Sequence, residues 1–311
     1  MRVFIGLAAL PHPPRRAVVT VGVFDGVHRA HRRLIRSTVR LARRLHGTSV
    51  VVTFHPDPHA VLDPNHAAPA LMPLQARLEA LRGLGVDWVW IIPFTRSFAT
   101  VRAETFIRRL LVGRLRTTAL IVGASFAFGR NRRGSLATLR AAAPAGHMRV
   151  IAVNELRLGG APISSSRIRR LIASGRLAAA KRLLTQPPAL YGTVVRGSGR
   201  GKRLGCPTAN IRLSASTLPP RGVYAVMVET ASNRHRYRGV MNLGVRPTFG
   251  PGPLVCEAHL LDFAGRLTGR DVTVSLMARL RGERCFPSPE ALARQVRRDV
   301  VRARRLLPRL S

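Results

Sequence analysis

Residues 18–34 read VVTVGVFDGVHRAHRRL: an apolar run halts at Asp25-Gly26 and a basic segment of helical period starts at once. The spacing predicts strand, tight turn, helix. Val18–Phe24 is mostly apolar and β-branched, as in a strand covered on both faces, and Gly26 supplies the backbone freedom for the turn. The helix is expected to run to about His46, with Leu34, Leu41 and Leu45 on one face and Arg32, Arg33, Arg36, Arg40, Arg43 and Arg44 largely elsewhere. His28 and His31 then stand at its mouth, where free N–H groups and the positive dipole end collect anions. Two imidazoles one turn apart can both donate to phosphate oxygens that gain charge during a reaction. The same pair could be half a zinc site or incidental surface histidine, although no Cys, Asp or Glu cluster accompanies it.

Outward from this unit, strand-like and helix-like segments alternate as far as about Leu184. MRVFIGLAAL at the start reads as a first strand, because no small-residue cleavage site follows it. After the opening unit come strand Ser49–Phe54, helix 74–84, strand Trp88–Ile92, helix 103–111, strand Ala119–Val122 and strand Val150–Val153. Repeated strand-helix units imply a parallel sheet with helices on its faces, and ligands of such sheets bind beyond the carboxyl ends of the strands. His28, the loop after Phe54, the Gly123–Gly129 turn and Ser164–Ser166 all follow expected strands, so they are expected to share one crevice. Residues 163–184 read as helical, with three serines as N-caps and Ile168, Leu171, Ile172 and Leu183 at helical spacing. Arg167 and Arg169 in its first turn oppose the helix dipole, a placement that makes sense beside an anion.

Gln186-Pro187-Pro188 breaks the pattern, and the domain boundary is expected there, giving domains 1–185 and 186–311. Short strands follow at Tyr191–Arg196, Thr208–Arg212, Val223–Glu229, Tyr237–Leu243, Val255–Phe263 and Val272–Leu280, separated by turns rich in Gly and Pro. The predicted outcome is an antiparallel β-barrel with a terminal amphipathic helix from about Glu290 to Leu307. Gly197, Gly199 and Gly201 form a glycine-rich loop whose amides could approach phosphates, although it is no Walker A motif.

A length of 311 residues, 46% of them hydrophobic, suits two cores. Lys+Arg number 52 against 14 Asp+Glu, a net charge of +38, and all but Lys181 and Lys202 of the basic residues are arginine. Such an excess attracts phosphodiester backbones, yet it is spread along the chain without a basic tail, and 5% aromatic residues leave little for base stacking. No specific nucleic-acid partner is expected, and weak self-association stays open. Three cysteines, Cys206, Cys256 and Cys285, without C-x-x-C spacing, read as reduced thiols of a cytoplasmic protein. No stretch approaches the ~20 apolar residues of a membrane span.

GVFDGVHRAHRRLI resembles the GNFDGVHxGH signature of the prokaryotic bifunctional riboflavin kinase/FAD synthetases, and the rest of the chain keeps that family's order. Thr53-Phe54-His55-Pro56-Asp57-Pro58 resembles TFxPHP, residues 122–129 (VGASFAFG) resemble VGxDFxFG, residues 163–169 (ISSSRIR) resemble ISSTRIR, and residues 201–211 (GKRLGCPTANI) are similar to GRxLGFPTANI. The resemblance implies a Rossmann-like nucleotidyltransferase domain followed by a riboflavin kinase barrel, making FMN from riboflavin and ATP and then FAD from FMN and ATP, with Mg²⁺. It also implies roles. His28 and His31 would serve adenylyl transfer, with Phe24, Asp25, Gly26, Ser125, Ser165, Ser166 and Arg169 binding ATP or phosphate. Glu257 would be the kinase base, Thr208 and Asn210 the Mg²⁺ ligands, and Gly197, Gly201, Lys202, Pro207 and Arg281 would line the kinase substrates. The chain departs from the pattern at Ala30, where the family has glycine, at Asp57, where it has histidine (His59 follows two places on), and at Ser125, where it has an acidic or amide residue. All three lie in the first domain, so a riboflavin kinase with a degenerate adenylyltransferase module is the alternative, and a non-catalytic flavin- or nucleic-acid-binding regulator a second.

Overall fold

The computed structural model describes residues 1–197, 206–214, 216–231, 234–245 and 254–308. The chain divides into two compact units, Met1–Ala68 with Leu74–Ser165, and Pro69–Pro73 with Ser166–Ser311.

The first unit is built on six strands: β1 (Arg2–Ile5), β2 (Ala17–Val21), β3 (Ser49–His55), β4 (Trp88–Pro93), β5 (Thr117–Gly123) and β6 (Arg149–Val153). They pair in the order β1-β4-β3-β2-β5-β6, parallel throughout. Every residue of β2 is buried, as its unbroken apolar run requires of a strand covered on both faces. Between β2 and β3 runs α1 (Arg29–Arg44), which buries Ile35, Thr38, Val39, Leu41 and Ala42; Leu41 and Ala42 join a core with Val18, Ala119 and Ile121, against which Leu34 and Leu45 also pack. The opposite face of the sheet is covered by a second core that includes Trp90, Phe106, Leu111 and Leu139. Each fully buried aliphatic or aromatic side chain of this kind contributes about 1.5–3 kcal/mol.

Two expected elements come out differently here. The strand expected at Val18–Phe24 ends at Val21, because Phe24 takes a left-handed backbone (φ 56°) and opens a 3₁₀ turn over Asp25–Val27. The helix expected over 103–111 starts as an α-turn at Ala103–Thr105 and then widens into a π-helix over Phe106–Arg114, closed by Leu115 N–H donating to Leu110 O at 3.0 Å.

In the second unit the segment expected as one helix over 163–184 is two, spanning Ser165–Ala173 (its first residue still in the first unit) and Leu177–Leu184. Gly175, at φ +74°, turns the chain between them. Six further strands follow: Ala189–Val195, Ala209–Leu213, Gly222–Thr230, Arg236–Gly244, Val255–Leu260 and Asp271–Arg281, which we number β9 to β14 after the short hairpin β7 (Arg157–Leu158) and β8 (Ala161–Pro162). They close an antiparallel barrel in the order β10-β13-β12-β11-β14-β9, around Leu190, Tyr224, Val226, Met241, Ala258 and Leu276. The terminal helix, Pro289–Leu306, is capped by Ser288 and lays Ala303 against Val223, Ala225, Val240 and Leu280 on the barrel's outer face.

Candidate active sites

In the first unit the strand order reverses at β2: β3 and β4 lie to one side, β5 and β6 to the other. A crevice beyond the carboxyl ends of β2 and β5 is where an open parallel sheet binds its ligand. The chain leaving β2 there is an unusual piece of backbone, with Phe24, Gly26 and Val27 all at positive φ (56°, 80° and 37°). The buried residues of this turn deliver His28 as the N-cap of α1.

His28 is 3% exposed, and its Nδ1 accepts the His31 backbone N–H at 3.4 Å, which leaves the neutral ring's proton on Nε2. The two imidazoles stack with centroids 3.5 Å apart, and Phe24 meets His31 edge-on at 5.2 Å. Rings so close disfavour a double positive charge. Burial, then His28, then Arg77 hold the His31 imidazolium well below the usual histidine range. Its Nδ1 is sealed from solvent with no hydrogen-bond partner among the described residues. A neutral ring with an unused nitrogen beside a helix N-terminus is poised to gain a proton when an anion arrives.

Of the other expected residues, one is tied directly to the histidine turn and the rest are described each in its own place. Ser165 donates its hydroxyl to Asp25 O at 2.9 Å, tying the second serine of Ser164-Ser165-Ser166 to the histidine turn instead of leaving it as a simple cap. Ser125 is exposed on the turn after β5, where Phe126 N–H donates to Gly123 O at 3.0 Å. Gly129 closes that turn at φ +71°, with a Cβ there 2.7 Å from Ala103 N. On the β3 side, Asp57 accepts from His59 N–H at 2.9 Å and caps the short helix Pro58–Leu62, so this departure has a local structural task. In the second unit, Ser166 is exposed, and Arg169 donates from Nε to Pro69 O at 2.9 Å, a carbonyl that also accepts from Thr217 Oγ1 at 3.0 Å. A residue that the sequence reading passed over is Arg77, on the helix Leu74–Arg82. It is 6% exposed and donates to Val23 O and to Phe54 O. Its position inside an ordinary amphipathic helix carried no signal.

In the barrel, the register places expected residues in one row. Val195, Asn210, Glu257, Asn242, Val223 and Arg281 are successive cross-strand partners from β9 through β10, β13, β12 and β11 to β14. Cys256 and Ala258, on either side of Glu257, belong to the barrel core, so Glu257 stands on the outer face between two asparagines. Burial and the Glu257 charge push the Cys256 thiol up to about 12, which leaves it an inert core group. Gly197 lies against Asn210: a Cβ there would sit 2.0 Å from Nδ2. Thr208 immediately precedes β10, and Pro207 O accepts from His259 Nδ1 at 2.8 Å, in the tautomer with the proton there. Arg281 is held by Asp299 of the terminal helix, with Nε and Nη2 both 2.9 Å from Oδ2, while Gln295 donates to Oδ1 at 2.8 Å. Asn242, Asp299 and Gln295 were not singled out from sequence; pairing register and helix docking bring them in. Gly199, Gly201 and Lys202 lie outside the described residues.

Among the described residues no three His, Cys, Asp or Glu gather as a metal-binding group, and no helix is long and apolar enough to cross a membrane. The FAD synthetase family profile matches residues 10–167, and the riboflavin kinase profile matches residues 184–307. The chain is 37% identical to the bifunctional riboflavin kinase/FMN adenylyltransferase of Escherichia coli K12 over 98% of its own length and 97% of the relative's. It is equally identical, at 37%, to the protein of that name from Pseudomonas fluorescens, over 98% of each. Among solved structures it is similar to the crystal structure of a macrolide-efflux protein from Streptococcus pneumoniae, with a TM-score of 0.82, 29% identity and 94% of both chains covered.

Proposed function

This chain belongs to the bifunctional riboflavin kinase/FMN adenylyltransferase family, and from that premise we propose that it phosphorylates riboflavin to FMN and then joins FMN to the adenylyl group of ATP. The observation that supports the second step is the stacked His28–His31 pair at the head of α1, with its buried, unused Nδ1.

Adenylyl transfer requires two anions to be held together. The FMN phosphate is already ionised and attacks the α-phosphorus of ATP without a general base, while pyrophosphate leaves with the charge. His28 and His31 are assigned to the phosphate oxygens that gain charge, with the amides at the mouth of α1 beside them. Phe24, Asp25 and Gly26 shape the turn that presents them, and Ser125, Ser165, Ser166 and Arg169 are assigned to the ATP phosphates from the family motifs. His28 and His31 themselves match the motif, and Asp57 is accounted for as a helix cap, so the bifunctional reading is preferred over a kinase alone.

In the kinase reaction the ribityl hydroxyl loses a proton as it attacks the γ-phosphorus of ATP. Glu257 is assigned as the acceptor, since it is a carboxylate on the outer barrel face flanked in register by amide side chains. The Thr208 hydroxyl and the Asn210 amide oxygen are hard donors that suit Mg²⁺, and Asn210 lies opposite Glu257 with Gly197 leaving room for its amide. Bound there, Mg²⁺ neutralises charge on the ATP phosphates. Arg281, Pro207, Gly201 and Lys202 are assigned to the substrates around it. We place the functional boundary at 185/186 and the protein in the cytoplasm, where its substrates and reduced cysteines belong.

The test is a pair of substitutions read by product. Glu257→Gln is expected to lower FMN formation by about 10²–10⁴ while FAD formation from supplied FMN persists. His31→Gln is expected to do the reverse, lowering FAD formation by about 10²–10³. Parallel loss of both activities in either variant would contradict the assignment of two separate sites.

A further inference from the structure

We propose that Arg77 is a positioning residue for adenylyl transfer, clamping the carboxyl ends of β2 and β3 so that the turn between them presents His28 and His31 to the nucleotide. This rests on the adenylyl-transfer reading above and adds to it a residue that the motifs do not contain.

Arg77 comes from a helix remote in sequence and reaches under the crevice. Its Nη1 donates to Val23 O and its Nη2 to Phe54 O, so one planar guanidinium joins the chain leaving β2 to the end of β3. Thr53, fully buried, adds a second donor to Val23 O at 3.1 Å. Val23 O is the last carbonyl before the left-handed Phe24. Phe24 and Val27, two non-glycine residues at positive φ within four positions, cost free energy to maintain and persist only where the surroundings fix them, and Arg77 and Thr53 fix this turn at its start.

The placement is also electrostatic. The guanidinium is nearly buried, and its Nε has no partner among the described residues. Burial pulls its basicity down, while the carboxylates of Asp25 and Asp57 oppose that. Its field falls on His55 and on His31; His31 also feels His28 and carries the edge of Phe24. A fixed cation behind the histidine pair attracts an incoming phosphate and adds to the burial and the His28 charge that hold His31 neutral until that phosphate is present.

Full-length Arg77→Gln and Arg77→Lys are compared with wild type in three measurements on one preparation: FAD from FMN and ATP, FMN from riboflavin and ATP, and the His31 titration by NMR. Arg77→Gln is expected to lower FAD formation about a hundredfold, the order of loss that follows small misplacement of reacting groups. It should leave FMN formation within about twofold and let His31 titrate at higher pH. Arg77→Lys keeps the charge and loses the fork, so His31 should titrate near its wild-type position while FAD formation stays depressed. Wild-type FAD formation with an unchanged rate and His31 titration in Arg77→Gln would overturn the proposal. If Arg77→Gln fails to fold, Arg77→Lys decides, since a wild-type FAD rate in it removes the clamp. Absence of FAD formation in wild type would instead sink the adenylyl-transfer reading, and the His31 titrations would still report on Arg77.

Discussion

His31 shows how burial and function oppose one another at a single residue. Its ring is held neutral by burial, by the stacked His28 and by Arg77, whereas a chain in solution would protonate it below about pH 6.5. The folded value is depressed, so the unfolded state takes up the proton first and stability falls as pH drops below the unfolded value. On acidification from about pH 7 to about pH 5, denaturant unfolding of His31→Gln is therefore expected to show a smaller stability loss than wild type; an equal loss would mean that His31 does not titrate in this way. Saturating ATP should shift the wild-type His31 titration upward, because a bound phosphate favours the imidazolium. The histidine pair was legible in the sequence because H-x-x-H directly after a strand and a glycine turn has a mechanical meaning. Arg77 was not, because nothing in the run LQARLEALR distinguishes an arginine that turns inward from its solvated neighbours.

At the scale of elements, periodicity located nearly every strand, since apolar β-branched runs between Gly and Pro turns leave little choice. Misreadings arose where backbone conformation overrode pattern. Gly175 splits an apolar helical repeat that reads as continuous, and the strand expected to reach Phe24 stops three residues earlier at the left-handed turn. Cross-strand register is a second thing that the pattern conceals. The row from Asn210 through Glu257 and Asn242 to Arg281 joins residues from strands far apart in sequence, and only pairing in a closed barrel makes them neighbours. Gly197 had suggested amides open to phosphate, while the structure gives it a steric task beside Asn210. Gly197→Ala should displace that amide and depress FMN formation at least about tenfold, with FAD formation from supplied FMN retained, since one lost contact in a phosphoryl-transfer site is worth roughly that much. Normal kinase turnover in Gly197→Ala would show that Asn210 tolerates the shift and weaken its assignment to Mg²⁺.

At the scale of the molecule, the two units explain how one chain carries two chemistries that need different surroundings. A parallel sheet with a strand-order reversal offers a helix mouth to anions, and a closed barrel offers an outer row of carboxylate and amide side chains. The net charge of +38 belongs to neither site. It is expected to produce duplex DNA binding without sequence preference that weakens about a thousandfold between about 50 and about 200 mM salt. Sequence-selective binding that survives the higher salt would instead give the charge a dedicated partner. The central claim, two working active sites in one chain, is tested most directly by incubating the purified protein with riboflavin, ATP and Mg²⁺ and separating the flavins over time. FMN should appear first and FAD follow at its expense. FMN that accumulates with no FAD, even when FMN and ATP are supplied directly, would contradict the account and leave a riboflavin kinase joined to an inactive adenylyltransferase fold.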